Sequence, residues 1–159
     1  MHPILSDRSR LTSYLAAWLP VTALAAGVLV LSGAAGWTEA LLLAFPLAMT
    51  YAFLCLSSWY LCRAMPVRTV PFSRIFATLA IAAASAGALW VAEAATLTSL
   101  FSFVPRVEAL FDRLGAALIP LLSLGALLYL LTAALHYLLL ALEEARVNER
   151  RAWEAQALA

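Results

Sequence analysis

Four long stretches without a formal charge limit this chain more than any other feature. Leu11–Thr38, Ala40–Cys62, Ile75–Ala92 and Leu114–Leu142 contain no Asp, Glu, Lys or Arg. Crossing the hydrocarbon core of a bilayer takes about 20 mostly apolar residues. A chain of 159 residues has room for four such spans, short connections and little else. The expected architecture is all-α, an integral membrane four-helix bundle with spans near 13–33, 40–62, 75–97 and 116–140. Composition agrees with this reading. Hydrophobic residues make up 65% and charged residues 12%, where soluble domains hold about half and about a quarter.

The first apolar stretch follows Arg8 and Arg10 and precedes Ser32-Gly33-Ala34, a layout shared with secretory signals. Its apolar core is longer than the roughly 7–15 residues of a signal peptide, so we read it as a retained anchor. Arginine placement then suggests an orientation. The ten basic residues are all Arg, and eight of them fall on one side of the predicted topology: Arg8, Arg10, Arg63, Arg68, Arg74, Arg146, Arg150 and Arg151. Arg106 and Arg113 fall on the other. Positive charge marks the cytoplasmic side, so both termini are expected in the cytoplasm of a bacterial inner membrane. An Arg-only, Ala- and Leu-rich chain also fits a GC-rich bacterial genome. A net charge of +1 offers no basic patch for nucleic acid.

Between the third and fourth spans, Val107, Leu110, Phe111 and Leu114 share i, i+3, i+4, i+7 spacing. With Pro105 at a first helical position, this predicts a short amphipathic helix at the outer interface. Small residues let transmembrane backbones come close. Span three has two such stripes, Ala80, Ala84 and Ala88, and Ala83 with Gly87, and is expected at the centre of the bundle. Span one has Ala23, Ala26 and Gly27 in the same style. Pro20, Pro46 and Pro120 lie in or near spans and can kink them. Trp18, Trp37, Trp59, Tyr60 and Trp90 lie mostly toward span ends, as interfacial anchors do.

Two ionisable side chains interrupt the apolar register, and such residues are functional candidates by default. Glu93 lies about 28 Å along a helix from Arg74, toward the outer interface. With Trp90 it makes one candidate signal-sensing site. His136 lies deeper, about 10 Å from Glu143, as a hydrogen-bonded interior residue or a proton-sensitive group. Cys55 and Cys62 stand at i and i+7 on one helix face, where rigid spacing keeps them from disulfide contact. They read as small packing residues. The sequence shows no phosphate-cradling Gly loop, no metal-ligand spacing and no catalytic set. Catalytic, cofactor-binding and metal-ligating residues are therefore expected to be absent from this chain.

The last stretch holds seven of the chain's charged residues, from Glu143 to Glu154, and no Gly or Pro. The fourth span is therefore expected to leave the membrane near Leu140 and continue as one helix. Residues 1–142 would form the membrane domain, and 143–159 the start of a cytoplasmic signalling helix. Glu143–Arg146, Arg146–Glu149 and Arg150–Glu154 stand at ion-pair spacing. Leu142, Glu143, Arg146 and Arg150 are the candidate relay residues. The seam Leu138, Leu142, Ala145, Glu149, Ala152, Gln156 is too polar for a strong coiled coil.

The segment "ALHYLLLALEEARVNERRAWEAQALA" resembles the junction between membrane and signalling helix in LytS-type sensor histidine kinases. The segments "MHPILSDRSRLTSYLAAWLP" and "YAFLCLSSWYLCRAMP" resemble the membrane portion of the same family. The resemblance implies the input half of a two-component system, cut before the kinase core. In that family a His in a "PHFLFN"-like motif accepts the phosphoryl group, and ATP with Mg belongs to the kinase domain. No residue of this chain matches either part. The resemblance also implies a homodimer and, through the absent kinase, a response regulator of the LytTR type. The alternative reading is a free-standing small membrane protein, a transporter subunit or a scaffold.

Overall fold

The structure, a computed structural model, describes residues 8–101 and 113–157. Among the described residues it is an all-α bundle with four helical stretches long and apolar enough to cross a membrane. The protein is accordingly a multi-pass membrane protein. Leu24, Leu42, Phe53, Ile81, Leu89, Leu127 and Leu131 all point outward, each more than half exposed. An apolar belt of this extent suits lipid and not water.

Span one is built from α1 (Arg8–Ala17) and α2 (Leu19–Leu31). The interruption at Trp18 has a local cause. Pro20 has no N–H to give to Ala16, and its ring crowds that carbonyl. The chain tightens there, with Trp18 N–H on Leu15 O at 3.0 Å, and the next helix restarts with Thr22 N–H on Trp18 O at 2.9 Å. At its far end α2 closes with Gly33 in the left-handed region, φ 72°. Ala34 N–H reaches Leu29 O and Gly33 N–H reaches Val30 O, both at 3.0 Å. This pair of bonds is a Schellman motif, sealed by the apolar pair Leu29 and Ala34, both buried. The chain then turns directly into α3 (Trp37–Ala64).

The third span is α4 (Phe72–Leu100), and the fourth is α5 (Leu118–Ala157), entered through a 3-10 turn at Leu114–Ala117. Pro46 sits inside α3 without breaking it. Pro120 sits in the first turn of α5, where a missing N–H removes no intrahelical bond. The predicted interfacial helix falls almost wholly on residues 102–112, outside the described residues.

The centre of the bundle is span two, not span three. Half of the most apolar stretch of α3 is buried, against 28% for each of the other spans. Span one packs on α3, α4 packs most closely on α5, and α3 touches both groups. Counting small residues pointed to α4 because it ignored which face they occupy. Ala83 and Gly87 do face the core, but Ala80, Ala84 and Ala88 are exposed. In span one, Ala26 is buried while Ala23 is exposed. The tryptophans also divide. Trp37 and Tyr60 are exposed, as anchors should be, but Trp18, Trp59 and Trp90 are buried in the bundle.

Candidate functional site

Polar side chains of α3 line up on one face and meet α5. Tyr51, Cys55, Ser58 and Cys62 stand at i, i+4, i+7 and i+11, and all four are buried. On α5 the facing residues are Gly125, Tyr129, Ala133 and His136, also buried. Tyr51 Oη donates to Gly125 O at 2.8 Å. Ser58 Oγ lies 2.8 Å from His136 Nδ1, and Cys62 Sγ lies 3.5 Å from Ala133 O. Past the end of α3, Tyr137 Oη donates to Met65 O at 3.1 Å. Arg68 Nη1 meets the Glu144 carboxylate at 2.8 Å. A polar seam thus follows the second and fourth spans from mid-bundle to the end where α5 emerges.

The Ser58–His136 contact is the deepest side chain pair of this seam. Ser58 Oγ also lies 2.7 Å from Cys55 O. A carbonyl can only accept, so the single serine hydrogen goes to Cys55 O. Ser58 then accepts from His136, which assigns the hydrogen to Nδ1 of the imidazole. Trp59 sets its ring edge-on to the imidazole, 5.5 Å away at 75°. Replacing Ser58 by alanine leaves that ring N–H facing apolar atoms. The expected loss of stability is about 1 kcal/mol, within the range for interhelical bonds in membranes. The S58A/H136F double variant should lose less than the sum of the two single variants, because the bond between the two side chains is then lost only once. A double-variant cycle read by sodium dodecyl sulfate titration in mixed micelles checks this. Strictly additive losses would show that the two side chains do not bond.

The candidate sensing residues do not share one site. Trp90 is packed in the core, 1% exposed. Its indole N–H donates to Leu47 O at 3.1 Å, and its ring stacks on Tyr51 at 4.7 Å and 26°. Tyr51 in turn meets Trp18 edge-on at 6.2 Å, and Trp18 meets Tyr14 at 6.1 Å. This aromatic column joins span one to span three through α3. Glu93, one turn beyond Trp90, is half-buried at the bundle surface and bonds to the hydroxyl of Thr50. Thr50 lies midway along the 28-residue helix α3, so the Glu93 carboxyl sits at mid-height of that helix. His136 meets α3 two turns further on, about 12 Å from Thr50. Glu93 and His136 therefore have no common reacting centre.

The relay residues Leu142, Glu143, Arg146 and Arg150 lie on the part of α5 that has left the bundle, and all are exposed. Among the described residues, none of the three ion pairs expected within this helix closes. Glu144 instead pairs across to Arg68 in the α3–α4 connection, with side chains 49% and 73% exposed. A bridge this wet contributes little stability, but it ties the connection to the emerging helix. Cys55 and Cys62 are free thiols facing α5. Among the described residues, no group of three His, Cys, Asp or Glu side chains gathers to hold a metal.

Sequence reasoning missed Ser58 and Tyr51. The signal was present in the register of α3, since both fall on the face marked by the two cysteines. Comparison with protein-family models, curated proteins and solved structures finds no match to this chain.

Proposed function

We propose that this bundle is the sensing and anchoring module of a bacterial two-component sensor histidine kinase. Its moving part is α5, which carries the state of the membrane bundle to a cytoplasmic kinase core. The observation that carries this reading is the continuity of α5, 40 residues from Leu118 to Ala157. One rigid element holds the buried half of the polar seam at its start and an exposed, charged surface beyond Ala141. A signal that favours one of two packings of α3 against α5 would shift that rod. The ligand or stress must bind the two packings unequally, or nothing is transmitted. Coupling of about 1–3 kcal/mol is typical of such devices.

The arginine distribution favours a bacterial inner membrane with both termini in the cytoplasm. ATP and Mg would bind the kinase core, and a response regulator of the LytTR type would be its phosphoryl acceptor. A lone charged helix is marginal in water. The family resemblance points to a homodimer, and the exposed side chains of Leu142 and Trp153, about three turns apart on one face of α5, are where a second copy would pack.

The test uses His136→Ala, which removes the partner of Ser58, as a substitute for the signal. In membranes, with the kinase core joined to α5, this variant should change autophosphorylation from labelled ATP several-fold. Replacing residues 143–157 by a Gly/Ser linker of equal length should abolish that response. An unchanged response through the flexible linker would refute rigid transmission.

A further inference from the structure

A cavity of about 890 Å³ opens where α3 and α5 leave the apolar part of the bundle. Its wall combines two chemistries. Val67, Leu138 and Ala141 supply apolar surface, while Arg63, Arg68 and Glu144 supply charge. Val67 and Leu138 are more than half exposed. Arg63 follows directly on the uncharged run of α3, and Glu144 lies just past the uncharged run of α5. The cavity therefore sits at the level where hydrocarbon gives way to headgroups. Its size is at the upper end of ligand pockets, which span about 300–1,000 Å³.

We propose that this cavity is a binding site for an anionic phospholipid. The two guanidinium groups face the lipid phosphate, and the first methylenes of an acyl chain lie against Leu138 and Val67. Basic pockets between transmembrane helices suit such headgroups. A guanidinium carries five N–H donors, so the bond from Arg68 Nη1 to Glu144 leaves others for a phosphate oxygen. Charge also makes the site competitive. The Glu144 carboxylate repels the phosphate it shares Arg68 with, so an occupied site weakens the Arg68–Glu144 bridge. Lipid composition would then set how often the Arg68–Glu144 bridge forms beside the exit of α5. This inference needs the membrane placement of the bundle and not the signalling role proposed above.

Native mass spectrometry of the detergent-solubilised full chain tests it. The chain is titrated separately with phosphatidylglycerol, phosphatidylcholine and inorganic phosphate. Phosphatidylglycerol should bind at least about tenfold more tightly than the other two. The double variant R63Q/R68Q should weaken it by about tenfold. E144Q should tighten it by about threefold, the scale of one exposed charge pair. These opposite signs separate binding from misfolding, which would weaken both variants. Equal binding of phosphatidylcholine, binding of phosphate as tight as the lipid, no effect of R63Q/R68Q, or weaker binding by E144Q would each overturn the proposal.

Discussion

Alanine in place of Gly87 is expected to destabilise the bundle by about 2–3 kcal/mol, at the upper end for overpacking. The reason is a backbone-to-backbone contact between α4 and α5. A Cβ at Gly87 would lie 2.7 Å from Leu122 O and 3.2 Å from Ala126 N. Neither atom belongs to a side chain that could rotate away, so the helices themselves must separate. Gly125, on the opposite helix, gives a useful comparison. A Cβ there would lie 2.7 Å from Cε3 of Trp90 and 3.1 Å from Gly87 Cα. The first contact is with the ring of the buried, stacked Trp90 and the second with backbone, so neither gives way easily and Gly125→Ala should cost a similar amount, about 2–3 kcal/mol. Titration with sodium dodecyl sulfate, followed by circular dichroism or tryptophan fluorescence, measures both. Equal stability of Gly87→Ala and the parent would mean that the two helices do not cross here.

Trp90→Ala should be the most damaging single truncation, at about 3–5 kcal/mol. Trp90 is the largest of the fully buried side chains. Its loss opens a void, ends the stack on Tyr51 and removes the bond to Leu47 O. An aromatic pair of this kind contributes about 0.5–1.5 kcal/mol beyond burial. Trp90→Phe keeps a ring and forfeits the N–H, so its expected loss is nearer 1 kcal/mol. The ratio of the two losses in the same titration distinguishes a packing role from a surface one. A mild effect of Trp90→Ala would mean that this indole is not a core element.

Much of the fold was legible because charge punctuates this chain so sharply. Uninterrupted apolar runs locate the four spans, and the absence of Gly or Pro after Gly125 foretells the length of α5. What could not be read was rotation of each helix about its axis. In water, an amphipathic face announces the core. In lipid both faces are apolar, so Ala80 and Ala83 look alike in sequence, although one faces outward and the other inward. The same blindness affects the tryptophans. Trp59 sits near a span end, as an anchor would, yet it turns inward onto His136. The pairing of Ser58 with His136 spans 78 positions, and a serine in an apolar run gives no local sign of a distant partner. What the sequence does display is spacing. The stripe Tyr51, Cys55, Ser58, Cys62 repeats at helical intervals and marks the face that α5 covers.

The glycine crossing of α4 and α5 has a mechanical consequence. It places a narrow fulcrum at Gly125, about 31 residues before Gln156, so the arm beyond it measures about 46 Å, of which only the last ~22 Å, past Ala141, is clear of the bundle. A tilt of about 5° at that fulcrum would sweep the distal end through about 4 Å. The opposite arm, from Leu118, is only about 10 Å long and would move less than 1 Å for the same tilt. Geometry of this kind amplifies in one direction: displacements too small to disturb lipid packing at one mouth of the bundle become steps of atomic size at the other.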